Sequence, residues 1–265
     1  MREPTKRCQF CDSRMATNKM QCPSCMMLQG GVQISQKDET VLLKDVSEST
    51  ETRIETGPWD KAFSGGMLAG RVWLIGGGPG AGKSTLMLQL CNAFIKQFQK
   101  ETLYIAAEET GGQIRSRAVR LEAPFLLDRL RLLPIGANGD IGEMLVRHKP
   151  CFAVVDSVSK LTKDLEEQAE IIDRLKTYAI TLGIPVFVVA HISKESDFAG
   201  IMKLQHNPDA LFTFFSADDG TRTLFVEKNR DGQAQIRMAF GMTEKGLFSM
   251  LCNVCKENVY MCTCA

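Results

Sequence analysis

The chain has 265 residues, 44% hydrophobic and 24% charged, with 32 Lys and Arg against 31 Asp and Glu for a formal net charge of +1. That length holds one large domain and a small appendage, and the composition is that of an ordinary globular protein. A near-neutral balance excludes nucleic-acid binding by bulk charge, so any such site is a local basic patch. The longest apolar runs, such as "IPVFVVA", are too short to span a bilayer, and "MREPTKRCQFCDSR" lacks the apolar core of a signal peptide. A cytoplasmic protein with no membrane partner is expected.

Taken in chain order, residues 1–28 hold the first of two cysteine clusters. In a reducing compartment such clusters suggest metal ligation rather than disulfides. Cys8, Cys11, Cys22 and Cys25 form two Cys-x₂-Cys knuckles, the spacing that closes a tetrahedral Zn²⁺ site and folds a segment too small for its own core. A site with four protein ligands is structural, not catalytic. Residues 29–55 are polar and weakly patterned and read as a linker.

From residue 56 to 250 the texture changes. Strand-like runs appear at "RVWLIGG", "TLYIAAE", "LRLLP", "CFAVVDS" and "IPVFVVAH". Helical stretches lie between them at Ser84–Lys100, Gln113–Leu121, Gly139–His148 and Leu165–Leu182. This alternation predicts an α/β fold with a central, mostly parallel sheet covered on both faces. Beyond His191 the chain becomes strand-rich, with "ALFTFF", "TRTLFVEK" and "QAQIRMAF".

"GGGPGAGKST" follows the strand "RVWLI" and opens a helix, the setting a P-loop requires. Residues Gly77, Gly78, Pro79, Gly80, Ala81, Gly82, Lys83, Ser84 and Thr85 are thus expected to hold ATP. The glycines let backbone N–H groups curl around phosphate oxygens, and the helix N-terminus adds its positive end. Lys83 reaches the β/γ-phosphates, and Ser84 offers its hydroxyl to Mg²⁺. Asp156, ending the apolar strand "CFAVVDS", is placed to orient Mg²⁺ and its waters. In "LYIAAEET", Glu108 is expected to be the base for the attacking water and Glu109 to favour the N-terminus of the following helix. His191 ends "IPVFVVAH" at the same sheet edge and is a candidate reporter of the γ-phosphate to the loop "SKESDFAG". A satisfied structural histidine is the alternative.

The tail "CNVCKENVYMCTCA" holds Cys252, Cys255, Cys262 and Cys264, read as a second zinc knuckle; a tail of reactive thiols is the other reading. Cys91 and Cys151, in apolar contexts, read as small core residues.

From residue 56 to 248 the chain resembles the RecA superfamily and within it the bacterial RadA/Sms family of DNA repair ATPases. The resemblance rests on "TGPWDKAFSGGMLAGRVWLIGGGPGAGKSTLMLQ", "LYIAAEETGGQIRSRAVRL", "VVDSVSKL", "VAHISKESDFAG", "VEKNRDG" and "MTEKGL", and the N-terminal four-cysteine cluster matches in kind and position. It implies a RecA-like P-loop ATPase core, with a small zinc module before it and a cysteine-rich tail after it. It further implies a homo-oligomer, a hexameric ring with ATP between subunits. There Lys228 and Arg230 of "KNRDG" act as fingers on the neighbour's γ-phosphate. The sequence departs from the family at Asp231, where a Phe is usual, and at Met202, where an Arg is usual. None of these 265 residues is expected to form the family's Lon-like C-terminal domain.

The resemblance makes single-stranded or branched DNA the expected partner, with Lys160 and Lys163 in a first loop and Lys194 and Lys203 in a second as candidate contacts to phosphates. The expected activity is a DNA-dependent ATPase acting as a helicase or branch-migration motor. A DnaB-like replicative helicase, a strand-exchange recombinase and a non-translocating ATP switch are the alternatives.

Overall fold

The computed structural model describes residues 5–7, 13–16, 53–134, 140–191, 203–251 and 258. Near the N-terminus a short antiparallel ribbon pairs β1 (Thr5–Arg7) with β2 (Arg14–Ala16), so Arg7 and Arg14, which flank Cys8 and Cys11 in sequence, lie opposite each other. Met15 of this ribbon is buried in the main core. The four N-terminal cysteines themselves lie outside the described residues.

The main body begins earlier than residue 56. Its β3 (Arg53–Ile54) pairs antiparallel with β4 (Met67–Leu68), so the end of the expected linker belongs to the folded body. Then follow β5 (Val72–Gly77), α1 (Lys83–Phe98), β6 (Thr102–Ala106), α2 (Gly111–Arg120), α3 (Pro124–Arg129), β7 (Leu130–Pro134), α4 (Ile141–His148), β8 (Ala153–Asp156), α5 (Val158–Leu161), α6 (Leu165–Leu182) and β9 (Val186–His191). A 3-10 turn at Leu204–His206 leads into β10 (Ala210–Ser216), β11 (Arg222–Asn229), β12 (Ile236–Thr243) and β13 (Gly246–Ser249).

These strands form one nine-stranded sheet in the order β13-β12-β11-β10-β5-β9-β8-β6-β7. The strands from β10 through β7 run parallel, and β11, β12 and β13 add antiparallel hairpins at one side. Central parallel strands are apolar on both faces because helices cover both. Along β5, Trp73 and Ile75 point into one core cluster with α1 and α2, and Val72 and Leu74 into another with α4 and α6.

Local sequence fixes the helix ends. Thr110 and Gln113 form a reciprocal capping box that starts α2. Asp164 caps α6 by accepting from the N–H groups of Glu166 and Glu167, and Gly183 ends it in the left-handed conformation. Buried Ile172, Leu175, Tyr178 and Ala179 give α6 its inward stripe. Among the described residues no helix is long and apolar enough to cross a membrane.

One residue of the cysteine-rich tail is described within its span. Asn258 is 2% exposed and imitates a strand neighbour: its Oδ1 accepts from Ala239 N–H at 2.8 Å and its Nδ2 donates to Ala239 O at 2.7 Å. Cys252, Cys255, Cys262 and Cys264 lie outside the described residues.

Candidate functional site

The parallel strands end together along one edge of the sheet. Gly77 of β5 is in register with His191 of β9, and Ala106 of β6 with Asp156 of β8. The P-loop, Glu108, Asp156 and His191 therefore meet in space although the sequence scatters them, at the carboxyl edge where open α/β sheets bind ligands.

The loop from Gly77 to Gly82 requires its glycines. A Cβ at Gly77 would lie 2.2 Å from Phe214 O, and Gly82 opens α1 at φ 106°, which side chains resist. Lys83 is 4% exposed, and its Nζ donates to Gly77 O at 2.6 Å and Gly78 O at 2.8 Å. Burial pulls its pKa down to about 8, against Asp156 and Glu108, which hold it up. Ser84 and Thr85 follow in the first turn of α1.

Asp156 is 3% exposed at the end of β8, with a cis peptide bond to Ser157. Tyr104 donates its hydroxyl to Asp156 Oδ2. Burial raises the Asp156 pKa against hydrogen bonds from Tyr104 and Ser84. Asp156 Oδ1 and Ser157 Oγ are buried without a hydrogen-bond partner. Two orphaned oxygens beside a phosphate-binding loop suit the water shell of a hydrated cation, so these residues fit Mg²⁺.

The two adjacent glutamates divide. Glu109 faces Arg117 of α2 through two hydrogen bonds of 2.5 Å each. Glu108 instead approaches His191, whose Nε2 abuts the carboxylate in a close contact. Glu108, Asp156 and His191 each bring one ligand-type atom within 4.8 Å of the others. Burial and the Lys83 ammonium lower the His191 pKa, against Glu108 and Asp156, which hold it up. The N–H of His191 donates to Ser159 Oγ at 3.3 Å, joining this strand end to α5 and hence to Lys160.

Lys160 and Lys163 are exposed on and just after α5, on the side of the sheet edge that follows Asp156. Lys203 is exposed before the 3-10 turn, and Lys194 lies outside the described residues.

Lys228 and Arg230 are elsewhere. Lys228 pairs with Leu211 and Asn229 with Ala210, which pairs with Trp73 near the start of β5. Trp73 to Gly77 is four strand residues, about 13 Å along the sheet. The two cations thus sit at the opposite edge from the P-loop of their own chain. Asp231 adds no free negative charge beside them. Its carboxylate pairs with Arg71 at 2.9 and 3.1 Å, and its carbonyl accepts from Arg53 at 2.6 Å.

Sequence reading missed Tyr104, Arg117 and Asp209. Tyr104 and Arg117 look like fillers of their elements and Asp209 like an ordinary bend residue before β10, and only the fold supplies their partners. A cleft of about 560 Å³ along the outer face of α1, lined by Thr56, Trp59, Gln89, Asn92, Lys96 and Leu121 among others, includes none of the phosphate-site residues.

Comparison with known proteins agrees with this fold. Residues 51–125 match a family model described as ATPase: KaiC. The chain is 32% identical over 229 residues to DNA repair protein RadA of Bacillus subtilis (83% of this chain, 49% of that protein). It is 33% identical over 272 residues to RadA of Campylobacter jejuni (91% and 59%) and 33% over 216 residues to RadA of Escherichia coli (77% and 46%). It spans about half the length of these curated relatives. The fold resembles that of a KaiC-like protein from Pyrococcus horikoshii, with a TM-score of 0.64 at 15% identity, covering 75% of this chain and 99% of that one. Fold and sequence together give this chain a RecA-like ATPase fold, with the bacterial RadA proteins as its sequence relatives.

Proposed function

We propose that the chain hydrolyses ATP between subunits of a ring, a hexamer, and uses the cycle to move on single-stranded or branched DNA in recombination and repair. The observation that carries this reading is the division of charge across the sheet. Lys83, Glu108, Asp156 and His191 converge at one edge, and Lys228 and Arg230 stand at the other, about 13 Å away along β5. Fingers so placed lie away from their own P-loop, on the edge that would meet a neighbour's.

In this reading the P-loop amides and Lys83 hold the triphosphate. Glu108 orients a water in line with the γ-phosphate and takes its proton. The neighbour's Lys228 and Arg230 offset the charge that develops on the transferred phosphoryl group, which in related chemistry is worth ~10³–10⁵ in rate. Ser84 and Asp156 would hold Mg²⁺, which neutralises phosphate charge when bound. His191, touching Glu108 and tied to α5 through Ser159, links the γ-phosphate to the segment carrying Lys160 and Lys163. Those lysines and Lys203 would contact DNA phosphates, and the two cysteine clusters would each hold one Zn²⁺.

The test is ATP turnover with and without single-stranded DNA, for wild type and Arg230→Ala, with mass photometry on the same samples. DNA stimulation that is lost in Arg230→Ala while rings persist supports the motor. Unstimulated turnover, or an unaffected variant, overturns it. Zinc content of the purified chain tests the clusters, two equivalents being expected.

A further inference from the structure

The fingers are gripped by the segment that follows Lys203. Lys228 Nζ donates to Gln205 O at 2.6 Å and to Pro208 O at 2.8 Å. Arg230 Nη2 donates to His206 O at 3.2 Å, and its backbone N–H to Asp209 O at 3.0 Å.

Asp209 stands at the centre of this clasp and is 4% exposed. Its Oδ2 accepts from the N–H of Val72, the first residue of the P-loop strand, at 3.0 Å, and Val72 O accepts from Asp209 N–H at 2.8 Å. Its Oδ1 meets Lys176 Nζ of α6 at 2.7 Å and Arg230 Nη1 at 3.5 Å. A carboxylate this buried persists only when its charge is matched, and here two cations from different elements match it. Arg230 remains half exposed, so its root is fixed while its far face is open to a neighbour.

We propose that Asp209 is the positioning residue of the trans-acting fingers. It references Arg230 to the P-loop strand and α6 of its own subunit, and through the turn Leu204–His206 to the candidate DNA segment at Lys203. Its chemistry does not touch ATP. It sets where the guanidinium stands when the next subunit's triphosphate arrives, and a misplacement of about 1 Å in such a group costs on the order of 10²-fold in rate. The inference rests on the proposed role of Lys228 and Arg230 in trans.

Subunit mixing tests it. Asp209→Asn keeps an acceptor for Val72 but turns an amide N–H toward Lys176 and Arg230. Alone, D209N is expected to lose at least tenfold in DNA-stimulated turnover, with nucleotide binding retained. Its P-loop is intact, so it should be rescued by subunits with sound fingers. D209N co-expressed with Lys83→Ala under different tags, and purified through both, should turn over several-fold faster than the two variants measured separately. A merely structural defect would not be rescued. Arg230→Ala co-expressed with Lys83→Ala is the control. If that control is rescued but D209N is either as active as wild type or not rescued, the assignment of Asp209 is overturned and the trans fingers stand. If the control itself shows no rescue, both fall. Asp209→Ser, which withdraws the charge without aiming an amide at the cations, is scored identically should D209N not fold. If neither folds, Asp209 is an anchor of the core and the proposal is overturned.

Discussion

Glu109 and Arg117 face each other through two hydrogen bonds of 2.5 Å, while Glu108, one residue earlier, turns to His191. Neighbouring carboxylates at a strand end are therefore assigned different work. Glu108→Gln is expected to lower kcat by ~10²–10⁴, the range for loss of a positioned base, with nucleotide binding and melting temperature retained. Glu109→Gln should do the reverse: about 1–2 kcal/mol of stability lost with the Arg117 pair, and turnover largely kept. Steady-state kinetics and denaturant unfolding of both variants check this. A loss of turnover confined to Glu109→Gln would exchange their roles.

Lys83 carries a pH signature. Its pKa of about 8 in the free protein means that half of the chains lack the ammonium at that pH. A bound triphosphate favours the charged form, so binding takes up a proton above pH 8 and weakens as pH rises. The limiting slope is about tenfold in Kd per pH unit above 8, with no loss below pH 7. The same depression penalises the folded state in full below about pH 8, and the penalty is relieved as pH rises from there toward the ordinary lysine value, because in that window the unfolded chain binds the extra proton. Calorimetric titrations in buffers of different ionisation enthalpy count the proton directly. Lys83→Met should abolish both the slope and the uptake.

Tyr104 and Asp156 form the other hidden partnership. Burial holds both groups toward their protonated forms, and the hydroxyl is the donor that keeps Asp156 Oδ2 satisfied. In Tyr104→Phe the carboxylate loses that donor while Oδ1 remains orphaned. About 1–3 kcal/mol of stability should be lost, and the Mg²⁺ concentration for half-maximal turnover should rise several-fold. A magnesium titration of turnover in wild type and variant measures the second effect. An unchanged requirement would separate Tyr104 from the cation site.

The parallel core was readable because its strands are apolar on both faces and end in chemically distinct groups. The bounds of α6 coincide with the stretch read as helical, since Asp164 and Gly183 mark its ends in the sequence itself. The six-residue α3 and the four-residue β13 were not read. The first is too short to show a period, and the second owes its existence to pairing with β12 and to Gln89, which both donates to and accepts from Leu247. Tyr104 within "TLYIA" reads as core filler, and its partner lies 52 residues away. The opposite placement of the P-loop and of Lys228 and Arg230 depends on strand order, which no local pattern encodes. Their role entered through resemblance alone.

Asp231 shows how a departure from the family pattern is absorbed. Where a Phe is usual, this chain sets a carboxylate 13% exposed and matches it with Arg71, while Arg53 takes the carbonyl of the same residue. The turn is pinned further by Ser64, whose Oγ accepts from Gln233 N–H at 2.9 Å and from Asn229 Nδ2 at 3.2 Å. A two-point guanidinium–carboxylate pair with both partners mostly buried is worth more than an exposed pair, so Asp231→Ala should cost about 1–2 kcal/mol. Arg71→Ala should cost a similar amount. The double variant should cost less than their sum by roughly 1 kcal/mol, since each single change already removes the shared contact. Denaturant unfolding of the four proteins completes the cycle. Additive losses would mean that the pair is incidental and that the Arg53 and Ser64 contacts alone hold the turn that carries Arg230.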